Sequence, residues 1–263
     1  MHSHVSRGPR LAKSCRWDSY NGYMFGEIRN PQGELLEYDY LQGAEGDPRL
    51  VVLGHGVTGN KDRPVVKGLA TALQQAGIAS LTFSFAGNGG SEGKFTDCTV
   101  TKEVADLGAV LDAVSGDGRV VAYGGHSMGG AVGVLRASSD DRIRVLLSLA
   151  GMVDCHKFAQ TEFGEEKSGF MWEDEDCPLS KTYMDDMASI GTIVDRGTDI
   201  KVPWILLHGT EDDVVLIQDS IDIEAKATCE HQFVTIEGAD HSFSEHADQM
   251  TGPAVDWVKT HLK

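Results

Sequence analysis

Short, uninterrupted apolar segments alternate with stretches of helical spacing along most of this chain, and this alternation restricts the possible folds more than any other feature. Residues 50–53 are apolar without a break, which is typical of a strand covered on both faces of a sheet. Pro64 and Gly77 bracket a stretch whose apolar residues fall on one side of a helix. Residues 100–114 keep the same helical spacing. Further strand-like segments lie at 78–85, 120–123, 145–150, 202–207 and 233–236.

This order of elements predicts an α/β fold, with a mostly parallel, twisted sheet and helices packed on both of its faces. The alternation in residues 34–42 and just before them predicts an antiparallel hairpin ahead of the first buried strand. One such sheet accounts for 263 residues, so we expect a single domain over residues 17–263. Residues 1–16 carry four basic side chains and no apolar segment typical of a secretory signal, and we expect a flexible N-terminal extension there.

One segment, at about residues 152–198, interrupts the alternation. It has no strand pattern and is rich in acidic and aromatic residues, and residues 173–176 are all acidic. Long insertions in compact domains are usually functional, and many of them cover a site. We therefore predict a small cap insertion and refer to these residues as the cap segment.

The charge balance excludes several classes of partner. The chain has 40 acidic and 23 basic residues, for a formal net charge of −17. A surface of this sign repels nucleic acids and anionic membrane faces, and no apolar run approaches the length of a membrane-spanning helix. Five cysteines without a Cys-x-x-Cys pair indicate neither a disulfide framework nor a zinc site. Reduced thiols are typical of the cytoplasm, so we expect a cytoplasmic protein with no nucleic-acid or membrane partner.

The motif Gly-x-Ser-x-Gly occurs twice, at residues 89–93 and 125–129. In many hydrolases this motif forms a strained turn between a strand and a helix, and its glycines let the backbone approach closely. Ser127 directly follows an apolar strand and precedes a helix of small residues, whereas Ser91 lies inside a glycine-rich loop. We therefore predict that Ser127 is a nucleophile and that Ser91 is a turn residue.

A serine nucleophile needs a base, and the base needs a carboxylate that orients it. Among ten histidines, His241 follows the last strand in a short loop at the sheet edge where catalytic groups gather, and His246 is the alternative. The carboxylate is expected after the preceding strand, where Glu211, Asp212 and Asp213 are adjacent. Residue chemistry alone leaves the choice among these three acids open. Three histidines at strand ends are expected to serve in packing or hydrogen bonding: His55, His126 and His208.

Acyl transfer also requires hydrogen-bond donors for the oxyanion of the tetrahedral intermediate. The backbone N–H of Met128, directly after the serine, supplies the first donor. The second is expected in the glycine-rich loop at residues 54–59, after the first long apolar strand, where Val57 is placed to donate its N–H. We therefore predict an oxyanion hole formed by Val57 and Met128.

In their order and spacing these motifs resemble the α/β-hydrolase superfamily, and the resemblance extends from about residue 20 to the end. The matching segments are His-Gly-Val-Thr-Gly at 55–59, the serine motif at 125–129, His-Gly-Thr-Glu-Asp-Asp-Val-Val at 208–215 and Gly-Ala-Asp-His at 238–241. The resemblance implies that Asp212 is the acid, because it occupies the Asp position of His-Gly-x-x-Asp-x-x-Val.

Within this superfamily the chain is similar to serine esterases and serine-aminopeptidase-like enzymes, a subgroup that includes the cinnamoyl (feruloyl) esterases. It shares with them the segment Gly-Asn-Gly-Gly-Ser-Glu-Gly-Lys-Phe at residues 87–95. It differs at three positions: Ser84, where the subgroup usually has Asp; Asn88, where His is common; and Val57, where cinnamoyl esterases have an aromatic residue.

The motifs and the resemblance together predict a serine hydrolase that cleaves small neutral carboxylic esters. The reaction would use a Ser127–His241–Asp212 triad and an acyl-enzyme intermediate, and it requires no cofactor or metal. Met171 and Trp172 of the cap segment are candidates for lining the substrate pocket, or else they fill an apolar hinge. Two alternatives stay open: an aminopeptidase-like or amidase-like serine hydrolase, and an α/β-hydrolase receptor that binds its ligand with little turnover.

Overall fold

The structure is a computed structural model that describes residues 24–116 and 118–263. The predicted N-terminal extension, with Cys15, lies outside the described residues. The four cysteines within them are free: Cys98, Cys155, Cys177 and Cys229.

Strands and helices alternate along the described residues, in the order expected from the apolar pattern. The strands are β1 (Ile28–Arg29), β2 (Leu35–Leu36), β3 (Tyr38–Leu41), β4 (Arg49–Gly54), β5 (Ala79–Phe83), β6 (Val120–His126), β7 (Ile143–Leu149), β8 (Trp204–Gly209) and β9 (His231–Ile236). The helices are α1 (Pro64–Gln75), α2 (Val100–Val114), α3 (Met128–Ala137), α4 (Cys155–Phe163), α5 (Lys181–Ile190), α6 (Ile217–Glu224) and α7 (Ala247–His261).

A seven-stranded sheet in the order β3-β5-β4-β6-β7-β8-β9 forms the centre of the fold. Only β3 is antiparallel to its neighbour; every other pair in this sheet is parallel. The prediction of a mostly parallel α/β sheet is therefore confirmed. The chain leaves β4 towards β5 and leaves the adjacent strand β6 towards β7, in the opposite direction. The loops after β4 and β6 therefore diverge, and open α/β sheets bind ligands at the carboxyl ends of such a strand pair.

Two hydrophobic clusters cover the two faces of the sheet. Leu50 and Val52 of β4 belong to the cluster that includes α2, α3 and the cap segment, whereas Val51 and Leu53 belong to the cluster that includes α1 and α7. Successive side chains of a strand point to opposite faces, and here both faces are buried. This double burial explains why residues 50–53 are apolar without a break.

The predicted hairpin at residues 34–42 is only partly correct. β1 and β2 do form a short antiparallel pair, with Ile28 opposite Leu36. β3, however, pairs antiparallel with β5, where Tyr38 lies opposite Phe83, and it thereby becomes the edge of the main sheet. The alternating pattern indicates a strand with one buried face, but it does not identify the strand that supplies the hydrogen bonds.

The cap segment consists of α4, α5 and two short 3₁₀ helices, Met171–Glu173 and Val194–Asp199. A bridge between Asp154 and Thr192 joins its two ends. The N-terminus of α4 is capped by the side chain of Asp154, which accepts a hydrogen bond from the N–H of Lys157. Such caps satisfy N–H groups that have no partner within the helix.

The contact between α2 and the cap segment buries an acidic side chain. Glu103 of α2 is 1% exposed, and within the described residues neither its Oε2 nor the hydroxyl of Tyr183 on α5 has a hydrogen-bond partner. Burial, reinforced by the nearby charges of Asp106 and Asp186, raises the pKa of Glu103 well above its ordinary value. The protonated form of Glu103 is therefore favoured in the folded protein.

We expect Glu103→Gln to stabilise the protein increasingly as the pH rises. When folding raises the pKa of a carboxyl, the free energy of unfolding falls as the pH increases from the unfolded pKa, near 4.5, towards the folded pKa. This loss reaches at most about 1.4 kcal/mol per pH unit, and glutamine avoids it. Urea unfolding of both proteins between about pH 5 and pH 8 should give a free-energy difference that widens with pH, whereas an exposed control, Glu175→Gln, should give a constant difference. Parallel curves for Glu103→Gln would contradict the prediction.

Candidate active site

Ser127 lies at the turn between β6 and α3, at the carboxyl edge of the sheet. Its φ of 55° and ψ of −121° fall in a region that residues with a side chain rarely adopt. Hydrogen bonds to its backbone hold this conformation: the Ser127 N–H donates to the carbonyl of Leu149, and the Ser127 carbonyl accepts from the N–H groups of Gly130 and Met152. The turn is thus a strained strand-to-helix elbow with the serine at its tip.

The glycines of the motif are required by the packing of this turn. A Cβ on Gly125 would lie 2.0 Å from the carbonyl oxygen of Gly129, and one on Gly129 would lie 2.7 Å from that of His55. Distances this short are not compatible with any side chain. The elbow therefore forms only with glycine on both sides of Ser127, which is the spacing found in the sequence.

The loops after β8 and β9 bring an acid and a histidine together. The Nδ1 of His241 lies 2.8 Å from Oδ2 of Asp212, and Asp212 is buried. Its neighbours Glu211 and Asp213 are exposed. The structure thus pairs His241 with the acid that the α/β-hydrolase resemblance implies, and not with either of the adjacent acids.

The pKa of Asp212 results from two opposing effects. Burial opposes ionisation, but hydrogen bonds from His208 and His241 and from the backbone outweigh it and hold the pKa of Asp212 well below its usual range. Two of these backbone donors are the N–H groups of Val214 and Val215, which both donate to Oδ1. Asp212 is therefore an anion at neutral pH, as a carboxylate that orients a histidine must be.

His126 connects the serine elbow to the loop of His241. Its ring lies 4.7 Å from the ring of His241, measured between centroids, and its Nε2 is 2.8 Å from the carbonyl oxygen of His241. A carbonyl only accepts hydrogen bonds, so Nε2 of His126 carries the proton and donates it. Burial lowers the pKa of His126 to about 3, and the ring is therefore neutral. Because His126 directly precedes Ser127, this contact holds the His241 loop next to the serine elbow.

The loop after β4 packs against Ser127. A Cβ on Gly56 would lie 2.8 Å from the Cβ of Ser127 and 3.3 Å from its Oγ, so the backbone of this loop directly adjoins the serine. Val57 is the next residue, and Met128 begins α3, whose first N–H groups have no partner within the helix. Of the two residues of the predicted oxyanion hole, Val57 thus follows Gly56, which adjoins the serine, and Met128 follows Ser127 itself.

The buried side chain of His55 connects the loop after β4 to the loop after β5. Its Nε2 accepts a hydrogen bond from the N–H of Phe85, and its Nδ1 donates to the carbonyl of Gly56. Burial lowers the pKa of His55 to about 4, so the ring stays neutral at neutral pH. The expectation that His55, His126 and His208 serve in hydrogen bonding agrees with these contacts. Their partners, however, were not evident from the sequence, because no local pattern identifies them.

The two cap residues differ in burial. Met171 is buried in the hydrophobic cluster, whereas Trp172 is 44% exposed. The indole N–H of Trp172 donates to Glu162, and its ring packs against Phe163. The contacts of Met171 are those of ordinary apolar packing, which agrees with the hinge alternative.

No group of three or more His, Cys, Asp or Glu side chains in the described part of the chain could hold a metal ion. No helix among the same residues has the length and apolar character needed to cross a bilayer.

Solved structures share this architecture. Est1E from Butyrivibrio proteoclasticus, solved with ferulic acid bound, superposes with a TM-score of 0.79 at 22% sequence identity, over 89% of this chain and 98% of that one. Alpha/beta hydrolase domain-containing protein 10 from mouse gives a TM-score of 0.70 at 18% identity, over 86% of this chain and 95% of that one. The α/β-hydrolase fold predicted from the motifs is thus confirmed.

Proteins of similar sequence and one family model also match this chain. The palmitoyl-protein thioesterase ABHD10 of Bos taurus is 22% identical over 262 residues, which cover 93% of this chain and 81% of that protein. An uncharacterised protein of Mycobacterium tuberculosis is 26% identical over 220 residues, 80% of this chain and 68% of that protein. The prolyl oligopeptidase family matches residues 66–263, well over half of the sequence. The chain therefore belongs to the prolyl oligopeptidase family, and its fold is that of the α/β-hydrolases.

Proposed function

We propose that this protein is a serine hydrolase that cleaves small neutral carboxylic esters through an acyl-enzyme intermediate on Ser127. The observation that carries the proposal is the 2.8 Å contact between His241 and the buried Asp212, held beside a strained serine elbow. A buried carboxylate, a histidine and a serine at one sheet edge are what acyl transfer requires.

In the acylation step, Ser127 Oγ attacks the ester carbonyl while Nε2 of His241 accepts the hydroxyl proton. Asp212 accepts a hydrogen bond from Nδ1 of His241, which fixes the tautomer and stabilises the imidazolium as it forms. The backbone N–H groups of Val57 and Met128 donate to the oxyanion of the tetrahedral intermediate. The intermediate then collapses, His241 protonates the leaving alkoxide, and the alcohol departs.

In the deacylation step, water replaces the alcohol. His241 removes a proton from the water as it attacks the acyl-Ser127 carbonyl, and a second tetrahedral intermediate forms in the same oxyanion hole. Its collapse releases the carboxylic acid and returns the proton to Ser127. Every step uses side-chain and backbone groups of this chain.

The charge of the cap segment supports the preference for neutral substrates. Between Asp154 and Asp195 the chain carries eleven acidic residues and three lysines. All four acidic residues at 173–176 are solvent-exposed, so their field extends outwards. A negative field of this kind disfavours the approach of anionic esters and favours departure of the carboxylate product.

The family match favours a second candidate, an amidase or peptidase of the aminopeptidase-like type, because the matching family is the prolyl oligopeptidases. In that case the acidic cap segment would attract the free amine of a substrate. The third candidate, a receptor with little turnover, would retain the same fold and would hold its ligand tightly without cleaving it.

A panel of three matched substrates tests the proposal: p-nitrophenyl butyrate, its amide analogue butyryl-p-nitroanilide, and the anionic mono-p-nitrophenyl succinate. We expect the neutral ester to have the highest kcat/KM, followed by the anionic ester, with the difference between the two esters shrinking as salt screens the cap charges. Equal rates on the two esters would overturn the preference for neutral substrates. An anilide rate comparable to the ester rate would favour the amidase, and absence of turnover on all three would overturn the esterase.

A further inference from the structure

A second histidine, at the end of the strand that precedes the Asp212 loop, is in contact with the carboxylate of Asp212. His208 is the penultimate residue of β8, and its side chain is completely buried. Its Nε2 lies 2.8 Å from the carbonyl oxygen of Val215 and 3.1 Å from Oδ2 of Asp212, and its Nδ1 lies 2.8 Å from the hydroxyl of Ser220 on α6. The imidazole therefore bridges the end of β8, the acid loop and α6.

These contacts determine where the proton of His208 resides. Nε2 faces a carbonyl and a carboxylate, and both of these groups only accept hydrogen bonds. Nε2 must therefore carry a hydrogen. The Ser220 hydroxyl can donate to Nδ1, so a neutral ring protonated at Nε2 satisfies every contact.

With His208 included, the carboxylate of Asp212 faces four N–H groups. Oδ1 accepts from the N–H groups of Val214 and Val215, and Oδ2 accepts from Nδ1 of His241. The Nε2–H of His208 lies 2.8 Å from the carbonyl oxygen of Val215 and 3.1 Å from Oδ2 of Asp212, so it is shared between these two acceptors. A carboxylate offers about four lone-pair sites. Each of these sites therefore has an N–H group near it, and both oxygens of the carboxylate are held in place.

We propose that His208 is a positioning residue for the hydrolytic reaction: its Nε2–H holds Oδ2 of Asp212 in line with His241 and offsets part of the negative charge that His241 experiences. This inference rests on the proposed function, because it assigns His208 to the same acid–base pair. His208 itself touches neither substrate nor nucleophile.

The other charged and titratable groups around this pair belong to several elements. Asp219 directly precedes Ser220 in α6 and accepts hydrogen bonds from the N–H groups of Val153 and Asp154. Asp240 precedes His241 in its loop, and the neutral ring of His126 packs against the other side of His241. The acidic groups among these add negative potential, whereas Arg63, ahead of α1, is a cation close enough to lower the pKa of His126. On Oδ2, the N–H of His208 opposes the negative potential together with the N–H of His241. Removal of the His208 N–H should strengthen the attraction of Asp212 for a proton on His241.

Matched substitutions separate the N–H at Nε2 from the rest of the ring. His208→Gln keeps an amide N–H close to the position of Nε2, whereas His208→Asn places its amide close to Nδ1 and loses the contact with Asp212. Ser220→Ala removes the contact at the other end of the ring and leaves Nε2–H in place. His208→Met fills a similar volume without any N–H, and it carries the test if His208→Asn does not fold.

The measurement is the pH dependence of kcat/KM for p-nitrophenyl butyrate, per active site titrated with a fluorophosphonate. For His208→Asn and His208→Met we expect kcat to fall by about tenfold to a hundredfold, and the acid-side decline of kcat/KM to move to higher pH by about half a unit. His208→Gln should restore both values towards those of the wild type, and Ser220→Ala should leave the decline where it is.

Two results would overturn the inference. In the first, the acid-side decline of kcat/KM has the same position in every variant, and the substitutions change only the fraction of sites that react with the fluorophosphonate. His208 would then have a structural role alone. In the other, His208→Gln resembles His208→Asn. Failure of the proposed function has a different signature, because the wild-type protein itself would then neither react with the fluorophosphonate at Ser127 nor turn over the ester.

Discussion

Replacing Ser127 with alanine is expected to reduce kcat for p-nitrophenyl butyrate by at least about 10⁴-fold. Alanine removes the only atom of this residue that can form the acyl-enzyme, and it leaves the elbow intact, because the backbone hydrogen bonds of residue 127 do not involve its side chain. The rate that remains should come only from the oxyanion donors and from substrate binding. Mass spectrometry should also detect no acyl adduct on the variant.

The second Gly-x-Ser-x-Gly motif provides a matched control. The hydroxyl of Ser91 donates to the carbonyl of Ser84 and accepts from the N–H of Glu37, so this serine stabilises a turn, as predicted. Ser91→Ala should lose about 1 kcal/mol of stability and little activity per folded molecule. If Ser91→Ala lost activity as completely as Ser127→Ala, or if Ser127→Ala retained it, the assignment of the nucleophile would be wrong.

The substitution Asp212→Asn should lower kcat/KM by about 10⁴-fold at neutral pH while the protein remains folded. The asparagine amide can present its N–H₂ group to His241, and this would favour the tautomer in which Nε2, not Nδ1, carries the proton. Nε2 could then no longer accept the proton of Ser127. The negative charge that stabilises the imidazolium would also be lost.

The two neighbouring acids serve as controls for Asp212→Asn. Asp213→Asn and Glu211→Gln remove the same charge from exposed positions, and we expect each to change kcat/KM by less than about threefold, because exposed charges are screened by water and salt. Kinetics with each variant at equal active-site concentration would check this. A loss at Asp213 as large as that at Asp212 would reassign the acid.

A helix or strand can be predicted from the sequence where its apolar pattern and its end signals alone determine its bounds. Pro64 begins α1 and Gly77, with a φ of 78°, follows its end, as the sequence predicts. At β6 the apolar pattern stops at residue 123, yet the strand continues to His126. Gly124 and Gly125 have no strand propensity; they are extended because they pair with β4 on one side and with β7 on the other.

The active site likewise combines features that the local sequence predicts with features that only tertiary contacts determine. The spacing of the glycines around Ser127 indicates an elbow, because Gly125 must lack a side chain to pass Gly129, only four residues away. The clash that excludes a side chain at Gly129 is with the carbonyl of His55, which the local sequence does not reveal. The contact of His126 with the carbonyl of His241 joins residues 115 positions apart, and nothing in either neighbourhood predicts it. The burial of Asp212 between two exposed acids is likewise not visible in a run of three acidic residues.

The sequence by itself therefore determined the fold class, the position of the serine elbow and the set of acids from which one is paired, because periodic burial and glycine conformation act over a few adjacent residues. Only the tertiary structure decided that β3 joins the main sheet, that Asp212 is the buried acid, and that His208 and His126 bind the groups around His241. These outcomes depend on loops from the ends of separate parallel strands that converge at one edge of the sheet. The hydrogen bonds of His241 with Asp212 and with His126 join residues 29 and 115 positions apart, and no local pattern specifies them.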